Sequence, residues 1–152
     1  MNIKWKSIVP TSFHVPYKYK TDKFFIYQLT VNDIDEDYDA VMSSVDYLKG
    51  TFDFLPDWPS KEMSKTEDLS NLGWHQTEFG LKTSFAYKVR NKPNNEYIGC
   101  VYIFPSNNQN YEVDVYTWVK ESYKNFDKQL YKQIKEWMYN TWPFKKVLFP
   151  GR

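Results

Sequence analysis

Tyr97-Ile98-Gly99-Cys100-Val101-Tyr102-Ile103-Phe104-Pro105 is the stretch on which the reading of this chain turns. Through Phe104 it is mostly apolar on both alternating faces, the pattern of a strand covered on both sides. Pro105 ends it, the polar run Ser106–Asn110 reads as a turn, and Tyr111–Val119 resumes as a strand. Upstream, Ser84–Arg90 alternates enough for a strand and runs into the polar turn Asn91–Asn95. Two hairpins therefore join three strands in an antiparallel meander.

Outward from the meander the period changes. Phe126, Leu130, Ile134, Trp137 and Met138 recur at helical spacing, which predicts a helix beginning near Asn125. Its other face is polar, and a short strand over Lys146–Phe149 follows. On the N-terminal side, Phe24–Leu29 reads as a strand. Thr30 then looks like an N-cap with Asp33 three residues on, and Ile34, Tyr38, Val41 and Met42 share one helical face. Asp33, Asp35, Glu36, Asp37 and Asp39 gather at the start of that helix, where its dipole favours acids, so they read as structural. Gly50–Ser60, with Pro56 and Pro59, is a loop. Ser64 and Glu67 fit a capping box ahead of Leu69, Leu72 and Phe79, and Gly80 can close that second helix. The order β-α-α-β-β-β-α-β is an α+β arrangement, with helices packed on a mostly antiparallel mixed sheet. Residues 1–23 carry Pro10 and Pro16 and no clean period, and read as an arm on a single domain spanning 1–152.

Composition limits the function. The chain has 152 residues, Lys+Arg 20 against Asp+Glu 19, and a net charge of +1. That balance argues against a dedicated nucleic-acid binder, whose footprint is strongly basic. No run reaches the roughly 20 apolar residues of a membrane span, and no signal-peptide pattern follows Met1. One cysteine, Cys100, forbids an intrachain disulfide and a multi-cysteine zinc site. A soluble, cytoplasmic setting without nucleic-acid or membrane partners is expected. The near-neutral total hides an uneven distribution: residues 120–152 hold eight basic residues and three acids. Aromatic residues make up 20% of the chain, enough to fill a core and leave some for a ligand groove.

The element order, together with Phe25-Ile26-Tyr27-Gln28-Leu29-Thr30-Val31-Asn32-Asp33-Ile34, the Gly99 phrase, and Tyr116-Thr117-Trp118-Val119 followed by Asn125–Met138, resembles the GNAT N-acetyltransferase superfamily. The likeness covers roughly residues 24–149. It implies direct transfer of an acetyl group from acetyl coenzyme A, as co-substrate and with no metal, to a small-molecule or peptide amine. It also implies a coenzyme lying between the third meander strand and the last strand. Trp118 and Val119 would offer backbone groups to the pantetheine arm, with Lys120, Lys124 and Asn125 near the phosphates. Superfamily members usually cradle the pyrophosphate on a glycine-containing loop at the start of this helix. Here residues 120–127 contain no glycine, and Asp127 occupies the first helical turn. A further helix, two strands and a tyrosine acid usually follow in the superfamily, and this sequence stops at Arg152. The second reading is therefore a non-catalytic binding module that keeps the fold without the coenzyme. A homodimer completing the sheet edge is a third.

Glu112 and Asp114 lie two apart on the third meander strand and are expected on one face. The resemblance implies that a carboxylate near here takes the proton from the attacking amine. A bulge in that strand would shift the register by one, so both remain candidates for the base. Their ordinary role would be a solvated face pairing with lysines. His75, beside Trp74, reads as a packed or surface helix residue, and Cys100 as a buried, inert thiol.

Overall fold

Three meander strands form the middle of the molecule. In the computed structural model, which describes residues 6–152, they are β3 (Phe85–Asn91), β4 (Glu96–Pro105) and β5 (Val113–Val119). Residues 1–5 of the expected arm lie outside the described residues. β2 (Phe24–Gln28) pairs antiparallel with β3, and β1 (Lys18–Lys20) pairs with β2 at the sheet edge. β6 (Val147–Leu148) closes the other edge and runs parallel to β5. The six strands therefore lie in sequence order, all antiparallel except the last pair. β1 falls within the segment expected to be an arm. A three-residue strand carrying lysines at both ends has no pattern to betray it.

Helices cover both faces. α1 (Ile34–Met42), the short α2 (Val45–Leu48) and α3 (Lys65–Leu81) lie on one side, and α4 (Asp127–Thr141) on the other. Thr30 and Asp33 form the expected capping box, although the first turn, Val31–Asp33, is a 3-10 turn. Ser64 caps α3 by accepting the Glu67 N–H, and the chain leaves the helix through Lys82 in left-handed conformation rather than at Gly80. The α4 stripe is buried as its spacing predicts: Leu130, Ile134, Trp137 and Met138 are at most 1% exposed. Each contributes about 1.5–3 kcal/mol by leaving water. The arm adds Val9 and Phe13 to the same layer, and the Tyr87 hydroxyl donates to the Pro16 carbonyl at 2.7 Å.

A bulge is present, but in β4 rather than β5. Val89 sits opposite Gly99 and Arg90 opposite Tyr97, so Ile98 is the extra residue. The β4–β5 ladder continues unbroken from Gly99–Val119 to Pro105–Val113. The bulge restarts the alternation, so Tyr97 and Cys100 face the α1/α3 side together. Gly99 is required here: a Cβ on it would lie 1.9 Å from the Trp118 carbonyl oxygen. Among the described residues no helix is long and apolar enough to cross a membrane.

Candidate active site

Where β6 stops, the edge of β5 is open. The two strands pair only at Val113–Val147 and Asp114–Leu148. Beyond them lies a cleft of about 260 Å³, walled by residues 115–119, by residues 47–51 after α2, and by residues 150–152. Trp118 and Val119 stand on this edge, as the resemblance implied. The Trp118 indole points away into the α1/α3 layer and donates to the Tyr102 hydroxyl at 3.1 Å.

The far end of the cleft holds its own ion pair. Arg152 donates to Thr117 Oγ1 at 2.8 Å and to Asp127 Oδ1 at 2.9 Å. Asp127 opens α4, where the helix dipole also favours its charge. The hydrogen bond to Asp127 raises the Arg152 pKa above its ordinary value. Ahead of Asp127, Glu121–Phe126 is 3-10, with Tyr123 outside helical geometry, so the helix starts later than its apolar stripe. Lys120 is tied to Glu96 at 2.8 Å, while Lys124 and Asn125 are exposed on this segment. Phosphate at the α4 N-terminus must compete with the carboxylate already there.

A second, larger cavity of about 460 Å³ lies between α3 and the sheet. Phe52, Trp58, Tyr102, Phe104 and Tyr116 wall it, and Phe54 and Trp74 stand at 54% and 59% exposure. Tyr116 lines both this cavity and the cleft, so the two adjoin at one side chain. Its hydroxyl donates to Asp53 at 2.8 Å, and burial raises its pKa.

Asp114 and Glu112 part company here. Asp114 lines the large cavity, and its Oδ1 is buried without a hydrogen-bond partner. Glu112 turns to the chain before β6 and accepts the N–H groups of Lys145 at 2.6 Å and Lys146 at 3.0 Å. Those bonds fix where β6 begins.

Three further polar groups, Asp37, Asp68 and His75, line the cavity, and nothing in the sequence pattern sets them apart from ordinary helix residues. Asp37 and Asp68, 3% and 4% exposed, share a side-chain hydrogen bond, so one of the two carboxyls carries a proton. The Tyr97 hydroxyl donates to Asp37 at 2.5 Å, and the Cys100 thiol at 3.6 Å. Burial first, then its bond to Asp37, pushes Asp68 up to about 8. Its Oδ2 has no partner. His75 packs against Tyr102 with ring centroids 5.1 Å apart and planes tilted by 43°, and burial lowers its pKa to about 4. Its imidazole is therefore neutral at physiological pH, with Nδ1 unpartnered. Cys100 is fully buried and its pKa is raised by burial, as expected of an inert thiol.

No protein-family model matches this chain, and no curated protein matches its sequence. Solved structures do match its fold. A Vibrio cholerae protein classed with the ribosomal-protein-serine acetyltransferases aligns at TM-score 0.66 and 12% identity, over 86% of this chain and 71% of its own. The microcin C7 self-immunity acetyltransferase MccE, solved with acetyl-CoA and AMP, gives TM-score 0.63 at 12% identity, over 84% and 70%. The ribosomal L7/L12 α-N-protein acetyltransferase RimL, in complex with coenzyme A, gives TM-score 0.61 at 13% identity, over 77% and 64%. At these identities the likeness is one of architecture: this chain has the fold of the GNAT acetyltransferases.

Proposed function

We propose that the protein is an N-acetyltransferase that moves an acetyl group from acetyl coenzyme A to an amine. The observation that carries this reading is the junction at Tyr116, where an open strand edge meets a cavity lined by carboxylates. Acetyl coenzyme A, when bound, supplies the acetyl thioester. In this reading the backbone of Trp118 and Val119 holds the pantetheine arm, and Lys120, Lys124 and Asn125 lie toward the phosphates. Asp114 takes the proton from the amine, directly or through one water, because it lines the cavity with Tyr116 and one of its carboxyl oxygens has no hydrogen-bond partner. Glu112 already accepts two backbone N–H groups, so Asp114 is the better candidate of the pair. Neutral His75 lines the same cavity without contributing charge.

Replacing Asp114 with asparagine keeps the shape and removes the base. Turnover, followed as coenzyme thiol release, should fall about 100-fold or more with little change in coenzyme affinity. Unchanged turnover would remove Asp114 from the mechanism. A second reading has its own observation: the Asp127–Arg152 pair fills the helix N-terminus where phosphate would sit. In that reading the protein is a binding module, and coenzyme leaves its melting temperature unchanged.

A further inference from the structure

β1 and β2 form the sheet edge opposite the cleft, and the helices α1 and α3 pack chiefly on β4 and β3 instead. The strand register sets which side chains share this less covered face. Lys18 stands opposite Tyr27 and Lys20 opposite Phe25, with Lys88 and Arg90 next along the sheet. Phe25 and Tyr27 are half-buried, their ring centroids 6.0 Å apart, and they belong to neither core layer. The ammoniums of Lys20 and Lys92 each lie 5.5 Å from the centre of the Phe25 ring. At the rim, Lys23 lies 5.9 Å from the ring of Phe126, which ends the 3-10 segment ahead of α4. Backbone bonding gathers these lysines, because the Lys92 N–H donates to the Lys23 carbonyl at 2.8 Å.

Charge on this face is one-sided. Lys18, Lys20, Lys23 and Lys92 are exposed, and among the described residues none of them pairs with a carboxylate. Lys88 and Arg90 are already neutralised by Asp33 and Glu36. Asp22, in the turn between the two strands, is the one acid from Lys18 to Gln28. Lysines on an edge strand deter pairing with other sheets, which accounts for Lys18 and Lys20. It does not account for Lys23 and Lys92, which lie off that strand, or for an aromatic pair left outside both cores.

We propose that this face binds single-stranded nucleic acid, with bases stacked on Phe25 and Tyr27 and phosphates held by Lys18, Lys20 and Lys92, and by Lys23 at the rim. Interleaved rings and ammoniums suit a ligand that alternates flat π faces with anions, whereas an acidic peptide offers only the anions. Cation–π contacts at an exposed site are weak, so a phosphate draws Lys20 and Lys92 outward and leaves the Phe25 face to a base. A duplex keeps its bases stacked on one another and offers this face its phosphates alone. The net charge of +1, which argues against a dedicated binder, sums these lysines with the acids of α1. Binding at this edge is independent of the acetyltransferase reading.

The test is fluorescence anisotropy of a labelled oligouridylate of about 12 nucleotides, titrated with the full chain in the absence of coenzyme. The native chain should bind it about ten times more tightly than a duplex of that length or polyglutamate of equal charge. Affinity should fall with salt at a logarithmic slope of about −2 to −3, from three or four phosphates at about −0.7 each. Phe25→Ala should weaken binding about fivefold or more. Lys92→Gln, an exposed change that leaves both cores intact, should make the slope shallower by about 0.7. Equal or tighter binding of polyglutamate or of the duplex by the native chain overturns the proposal, and neither comparison needs a variant to fold. Anisotropy unchanged at about 100 μM chain overturns it as well. So does an affinity that neither substitution alters, because the ligand would then sit elsewhere.

Discussion

At Gly99 a side chain has nowhere to go, because the Trp118 carbonyl already fills the space above its Cα. Gly99→Ala must push β5 away from β4 next to the cleft, and should cost about 3 kcal/mol or more. A urea midpoint equal to that of the native chain would contradict the close approach of the two strands. Other single residues show why part of the site was hidden in the sequence. Asp37 lies three residues after Ile34 and four before Val41, on the buried stripe of α1, yet among five acids it reads as one more dipole partner. Asp68, Leu72, His75 and Phe79 follow the same spacing on α3. The signal was a polar residue standing on an apolar stripe, and composition near a helix start masks it. Asp114 was legible as a candidate. Its separation from Glu112 was not, because that depends on the chain just before β6 folding back onto Glu112.

Elements, rather than residues, decide whether the cleft can accept coenzyme. The meander and α4 were readable because period 2 and period 3.6 are strong over seven or more residues. The bulge was expected one strand away from where it occurs, since Gly99 marks a close approach as readily as a bulge. The start of α4 is the weakest part of the likeness to the acetyltransferases. Residues 121–126 wind as 3-10 without a glycine, and Asp127 accepts from Arg152. Asp127→Asn removes one negative charge from this helix end and frees a guanidinium that can grip phosphate in a fork. The variant should bind acetyl coenzyme A several-fold tighter than the native chain in a titration. Weaker binding would mean that the ion pair shapes the cleft instead of closing it.

For the whole molecule, the near-zero net charge conceals a buried acidic cavity, and its stability should reveal that cavity through pH. Asp68 titrates near 8 when folded and near its ordinary 3.8 when unfolded. The folded state therefore holds the extra proton between those values, and stability falls as pH rises toward 8. His75 works the other way: its pKa drops from 6.5 to about 4, so stability falls as pH drops through that range. Between pH 6.5 and 8 the Asp68 effect outweighs that of His75, which is nearly spent above its unfolded pKa, and stability should decline by about 1–2 kcal/mol. Denaturant titrations at the two ends of that window measure it directly, and Asp68→Asn should flatten the difference. Among the described residues, aromatic side chains fill much of both core layers and wall this cavity. Acetyl transfer by this protein requires that the fold accept the coenzyme. Thermal melting at a hundredfold excess of acetyl coenzyme A over its dissociation constant should raise the midpoint, reflecting about 2.7 kcal/mol of stabilisation. An unchanged midpoint at millimolar coenzyme would contradict the acetyltransferase reading.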